Sequence, residues 1–147
     1  MGGDPYWYFV KYNKDINQAL QELREREFKA GRYSPVTPVL EFPINDNSPS
    51  PGPQHSSIEE AFEASEPDGT ASILDIMKIG EEPDYCVAAR TSDELLEELY
   101  GTTKPTREMI EDGLDILDDV DRGQARYVVV YKDEKPSEIL FCGYSFD

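Results

Sequence analysis

Apolar positions recur at different spacings along this chain, and each spacing marks a kind of element. Residues 5–12, Pro-Tyr-Trp-Tyr-Phe-Val-Lys-Tyr, are dense in aromatic and β-branched side chains over a length too short for a helix, which predicts a strand. Tyr6, Tyr8 and Tyr12 fall on one face of it and Trp7, Phe9 and Lys11 on the other, so both faces are expected to be at least partly covered. The spacing then lengthens. Asp15 and Gln18 form a capping box ahead of Ile16, Ala19, Leu20 and Leu23, and Gly31 supplies a stop, which together predict a helix over 16–30.

A second capping box, Ser57 with Glu60, opens a short helix through Ile58, Ala61 and Phe62 that Pro67-Asp68-Gly69 ends. The apolar runs 73–79 and 85–89 predict a β pair joined by the five residues Gly80-Glu-Glu-Pro-Asp84, although the first run also satisfies a helical template. Thr91 or Ser92 caps a helix carrying Leu95, Leu96, Leu99 and Tyr100 up to Gly101. Pro105-Thr106 opens a longer one, in which Met109, Ile110, Gly113, Leu114, Leu117 and Val120 make a continuous stripe that stops at Gly123. The end of the chain reads as a hairpin: 126–131, a Lys-Asp-Glu-Lys-Pro turn, then 139–146.

Strand, helix, loop, helix, β pair, two helices and hairpin, in that order, predict an α+β fold. The expectation is a mixed, mostly antiparallel sheet with about four helices packed on it, in one domain over 1–147, with a single interior and its carboxylates turned outward. Pro43, Pro49, Pro51 and Pro53, set among Asn, Ser and Asp, make 43–56 a surface loop expected to be mobile, preceded by a short strand at 39–42.

Charge changes this picture. Fourteen Lys/Arg against 31 Asp/Glu give −17. Residues 1–33 hold six bases and five acids, a sum of +1, so the other 114 residues carry −18. A surface of that sign repels nucleic-acid phosphates and anionic lipid at long range and draws in a cationic partner, while also serving solubility. No run approaches the roughly 20 apolar residues of a membrane span. The start lacks a signal-peptide profile, and Tyr6 stands where myristoylation wants Ser or Thr. Cys86 and Cys142 lie in apolar runs without metal-ligand spacing, so the expectation is an unanchored cytoplasmic protein with reduced, buried thiols.

Candidate chemistry is sparse. Arg32 and Tyr33 follow the helix stop at Gly31, beside the basic stretch, where a guanidinium fork and a phenol could clamp a carboxylate or phosphate. The plainer alternative is that Arg32 pairs with one of the chain's own acids and Tyr33 packs on the sheet. His55, at the end of the Pro-rich loop, is the lone histidine, and as a catalytic base it would need an orienting carboxylate and a nucleophile that adjacent Ser56 and Ser57 do not provide by adjacency alone. Asp112, Asp115 and Asp119 share a face on the long helix, but a calcium loop beginning at Asp119 would place Gln124 at its glycine position and Val130 at its glutamate position, so no metal is expected. Phosphate-binding, dinucleotide, serine-elbow and zinc-protease signatures are lacking, and no cofactor is expected.

Two functions follow as expectations. The first is a non-enzymatic acidic protein that binds a basic protein partner, in the manner of an inhibitor or immunity protein. The second is a small enzyme or ligand-binding module built on Arg32, Tyr33 and the His55 loop.

Overall fold

The computed structural model describes residues 4–37, 43 and 48–146. Its centre is a five-stranded sheet in the order β1-β5-β4-β3-β2, with β1 at Pro5–Lys11, β2 at Lys78–Gly80, β3 at Val87–Arg90, β4 at Ala125–Lys132 and β5 at Lys135–Tyr144. β1 and β4 flank β5 antiparallel, while β2, β3 and β4 run parallel to one another, so the sheet is mixed and its antiparallel half is the longer. Four α-helices complete the α+β fold: α1 at Ile16–Ala30, α2 at Ile58–Ala64, α3 at Asp93–Tyr100 and α4 at Arg107–Glu111.

The expected caps are in place. Asp15 accepts from the Gln18 N–H, Ser57 from Glu60, Ser92 from Leu95 and Thr106 from Met109, each satisfying an amide that its helix leaves without a partner. α1 has the bounds expected of it.

The interior differs from the expectation in one respect: it is two layers of packing, one on each face of the sheet. Tyr6, Tyr8, Tyr127, Ile139 and Phe141 meet α1, α2 and the segment 73–76 on the first face. Val128, Val130, Leu140 and Cys142 meet α3, α4 and Ile116 on the second. The alternation seen in β1 forecast this, since aromatic side chains point to both sides of that strand.

Four features depart from expectation. The run 73–79 is not a single strand: Ser72 caps a 3₁₀ turn at Ile73–Asp75, and only Lys78–Gly80 enters the sheet. β3 then pairs with β2 parallel rather than as a hairpin, because 81–86 carry the chain back to the start of β2, where the Met77 N–H bonds the Cys86 carbonyl. The long helix breaks after Glu111, with Gly113 at φ 139 and Leu114 at φ 52, and resumes as a 3₁₀ turn at Asp115–Asp119. At 100° per residue Ile116 would point well away from Ile110 on an unbroken helix; the break turns both into the second core and leaves Met109 exposed. Finally, the hairpin turn is two residues, not five. Lys132 pairs with Lys135, and Pro136 lies within β5 beside a register shift, where a missing N–H is tolerated.

That turn places Asp133 at φ 52 and Glu134 at φ 64, the left-handed pair of a type I′ turn, which favours Asn-Gly. Glu134→Gly is therefore expected to stabilise the protein by about 1 kcal/mol, by removing the strain of a side chain at positive φ. A urea midpoint raised at unchanged slope would show it.

Candidate functional site

Arg32, Tyr33 and His55 come together at the carboxyl end of α1. Gly31 closes that helix at φ 76, and a Cβ there would overlap the carbonyl of Gly52, which crosses directly above. Contact this close lets the Gly52 N–H bond the Ala30 carbonyl at 3.0 Å. The Tyr33 hydroxyl lies 2.8 Å from His55 Nδ1 and accepts from the Gln54 N–H. The described part of the Pro-rich loop, 48–56, is thus tied down, whereas the strand expected at 39–42 and residues 44–47 lie outside the described residues.

Arg32 engages a carboxylate in fork geometry, and that carboxylate belongs to the chain itself. Its Nε donates to Glu27 Oε1 at 3.1 Å and its Nη2 to Oε2 at 2.8 Å, while Nη1 reaches Ser50 Oγ at 3.2 Å. Arg26 adds a third donor to Glu27, whose side chain is only 1% exposed. A buried carboxylate is tolerable when its lone pairs are this well met. Tyr33 is fully buried, stacks on Phe28 at 5.9 Å, and has its phenol pushed above its ordinary pKa by that burial. Ser57, one of the serines beside His55, has its hydroxyl occupied as the cap of α2. These contacts make the cluster a latch between α1 and the loop. Arg32→Ala should lower stability by about 3 kcal/mol, because it strips a buried carboxylate of its fork and frees Ser50. Denaturation together with faster proteolytic cleavage within 48–57 would report both effects.

A second polar cluster was not anticipated, because Asp75 sits inside a run that reads as apolar. Its side chain is fully buried. Oδ1 accepts from the Thr70 N–H at 2.7 Å and from Thr70 Oγ1 at 2.8 Å, and Oδ2 lies 3.2 Å from Ser145 Oγ. The single Ser145 hydroxyl proton is shared between Asp75 Oδ2 and the Asp68 carbonyl, which lies nearer at 2.8 Å, and the Tyr8 hydroxyl accepts from the Ile73 N–H. Residues 68–75 are thereby fastened to the end of β5, and Gly69 is needed because a Cβ would strike both Ser145 Oγ and Asp75 Oδ2. Desolvation pushes the Asp75 carboxyl up to about 6 against the pull of these donors. The signal in the sequence was Thr70-Ala-Ser72 just before the apolar run, with the 3₁₀ turn placing an acid within reach.

Because the folded-state pKa of Asp75 is raised, its contribution to stability is present at acid pH and lost as pH climbs through about 6. Between pH 4 and pH 7 the loss amounts to about 2 kcal/mol. Asp75→Asn keeps an acceptor for Thr70 and does not ionise, so over that range it should gain by this amount on the parent. Parallel unfolding curves at the two pH values test it.

The remaining candidates separate. Cys142 is buried, its thiol pushed up to about 12 by desolvation. Cys86 is half-buried just ahead of β3 in a left-handed conformation, and its thiol is raised by burial and then by Asp75 and Asp84. Neither has the low pKa of a reactive thiol. The helix break removes the shared face of Asp112, Asp115 and Asp119, all three exposed, and Asp119 instead accepts from Arg126 at 2.9 Å. Among the described residues no three His, Cys, Asp or Glu side chains converge as metal ligands, and no helix is long and apolar enough to cross a membrane.

No family model, curated protein or solved structure matches this chain.

Acidic groups are dense in one layer. From Asp93 to Asp121, the stretch that covers the second face of the sheet, eleven Asp/Glu stand against Lys104 and Arg107, a net −9, and all eleven are exposed. On the first face α1 carries Arg24, Arg26 and Lys29 against Glu22, Glu25 and Glu27 and is neutral, while α2 carries Glu59, Glu60 and Glu63 without a base.

Proposed function

We propose that this is a non-enzymatic binding protein whose α3–α4 layer docks a basic protein. The observation that carries the reading is the density of charge in this layer: eleven acids against two bases within 29 residues, all eleven exposed. A concentrated anionic field orients an approaching cationic surface and raises the rate of productive encounter. Met109, 45% exposed in the middle of this layer, offers an apolar contact of the kind that anchors an interface. The latch at Arg32, Tyr33 and His55 supports a structural role more than a catalytic one, since Arg32 already holds Glu27 and the Tyr33 hydroxyl already meets His55.

The test compares two neutralised proteins. In one, Glu94, Glu97, Glu98 and Asp112 become Gln or Asn; in the other, Glu59, Glu60, Glu63 and Glu66 on and after α2 become Gln. Basic proteins fractionated from a cell extract should bind the parent with affinity that falls steeply as salt rises, and the first variant alone should lose that binding. Capture insensitive to salt, or lost equally in both variants, would refute the reading.

A further inference from the structure

β4 is longer than the strand beside it. β3 pairs with Ala125, Arg126 and Tyr127 and stops, and the edge of β4 is next met at Tyr131, whose N–H bonds the Pro105 carbonyl. Thr91 closes the near side of this gap, its N–H and Oγ1 both donating to the Tyr127 carbonyl. Backbone groups of alternate residues point to the same edge, so Val129, midway between Tyr127 and Tyr131, presents its N–H and C=O into the opening. No backbone partner stands opposite Val129 there among the described residues.

A groove of about 270 Å³ occupies this gap. Tyr12, Tyr127 and Tyr131 line it with rings, and Lys14 and Arg90 bring it two cations. Its remaining lining includes Ile16 and Asp93, the first residues of α1 and α3, whose amino ends are already met by the Asp15 carboxylate and the Ser92 hydroxyl. Asp93 is the one acid in the lining, and its link to Arg90 is loose at 3.8 Å, as is that of Glu81 at 3.5 Å, both between largely exposed groups.

We infer that this groove binds a small flat molecule bearing an oxyanion, a carboxylate or a phosphate, which lies between the tyrosine rings and accepts hydrogen bonds from Arg90, Lys14 and the Val129 N–H. The volume suits a single aromatic ring with its substituents and excludes a peptide strand, for which the gap between Thr91 and Pro105 is too short. The cations and rings named here come from the β1–α1 connection, β3 and β4, and the groove meets the acidic layer only at its border, where Asp93 and Leu96 of α3 share the lining. Sequence reading missed it because its residues are scattered from Tyr12 to Tyr131 and none belongs to a motif.

The test is a titration of the full chain, ¹⁵N-labelled, with benzoate, phenyl phosphate and benzylamine, followed at the assigned amides of Val129 and Thr91. Benzoate or phenyl phosphate should shift both amides saturably, the tighter of the two showing which oxyanion the groove prefers. Arg90→Gln and Lys14→Gln, both at exposed positions that leave the core intact, should each weaken that binding about tenfold, while Lys29→Gln on the far end of α1 should not. The inference is overturned if neither anion moves Val129, if benzylamine moves it as strongly, or if the Arg90 and Lys14 variants bind as tightly as the parent.

Discussion

Everything in this molecule is arranged around a strand that must be covered on both sides. In β5, Ile139, Leu140, Phe141 and Cys142 are all fully buried, and they point alternately to opposite faces. β1 and β4 seal its two edges, so four consecutive residues lose all access to water. A half-buried sheet would need one helical layer; a strand apolar on both faces demands two. The chain meets this demand by sending α1, α2 and the turn at 73–75 to one side and α3, α4 and the turn at 115–119 to the other.

That requirement determines where polar chemistry can be. Acids are excluded from both packing layers unless donors go in with them, and the two that do enter show the terms. Glu27 enters with two guanidinium groups, and Asp75 with a backbone amide and two hydroxyls. Each is used to hold a segment that has no strand pairing of its own: Glu27 and its neighbours hold the Pro-rich loop, and Asp75 holds the approach to β2. The other carboxylates are left to outer surfaces, on α2 as well as on α3 and α4.

Sheet edges explain the groove by the same logic. β3 contributes four residues to the sheet and β4 eight, so part of β4 cannot be paired by its neighbour. Thr91 and Pro105 close the two ends of that exposed edge and leave the middle to solvent. The site is formed by the unpaired stretch of β4 and the end of β3, with Tyr12, Lys14, Thr91 and Thr103 added from connections.

Local interactions were legible in the residues themselves. The bounds of α1, the caps at Asp15, Ser57, Ser92 and Thr106, the aromatic alternation of β1 and the closing hairpin depend on contacts within a few positions, and the sequence by itself determined them together with the α+β class. What it could not determine were outcomes of competition between distant parts. The helix after Pro105 has a strong apolar stripe, yet it breaks because Ile110 and Ile116 both gain burial in one core. Residues 73–75 curl into a 3₁₀ turn because Thr70 and Ser145 wait for the Asp75 carboxylate, and Arg32 meets Glu27 because Gly31 lets Gly52 cross. In each case the deciding partner lies on another element or on the opposite bend of the chain, and its free energy exists only once the sheet has brought the two together.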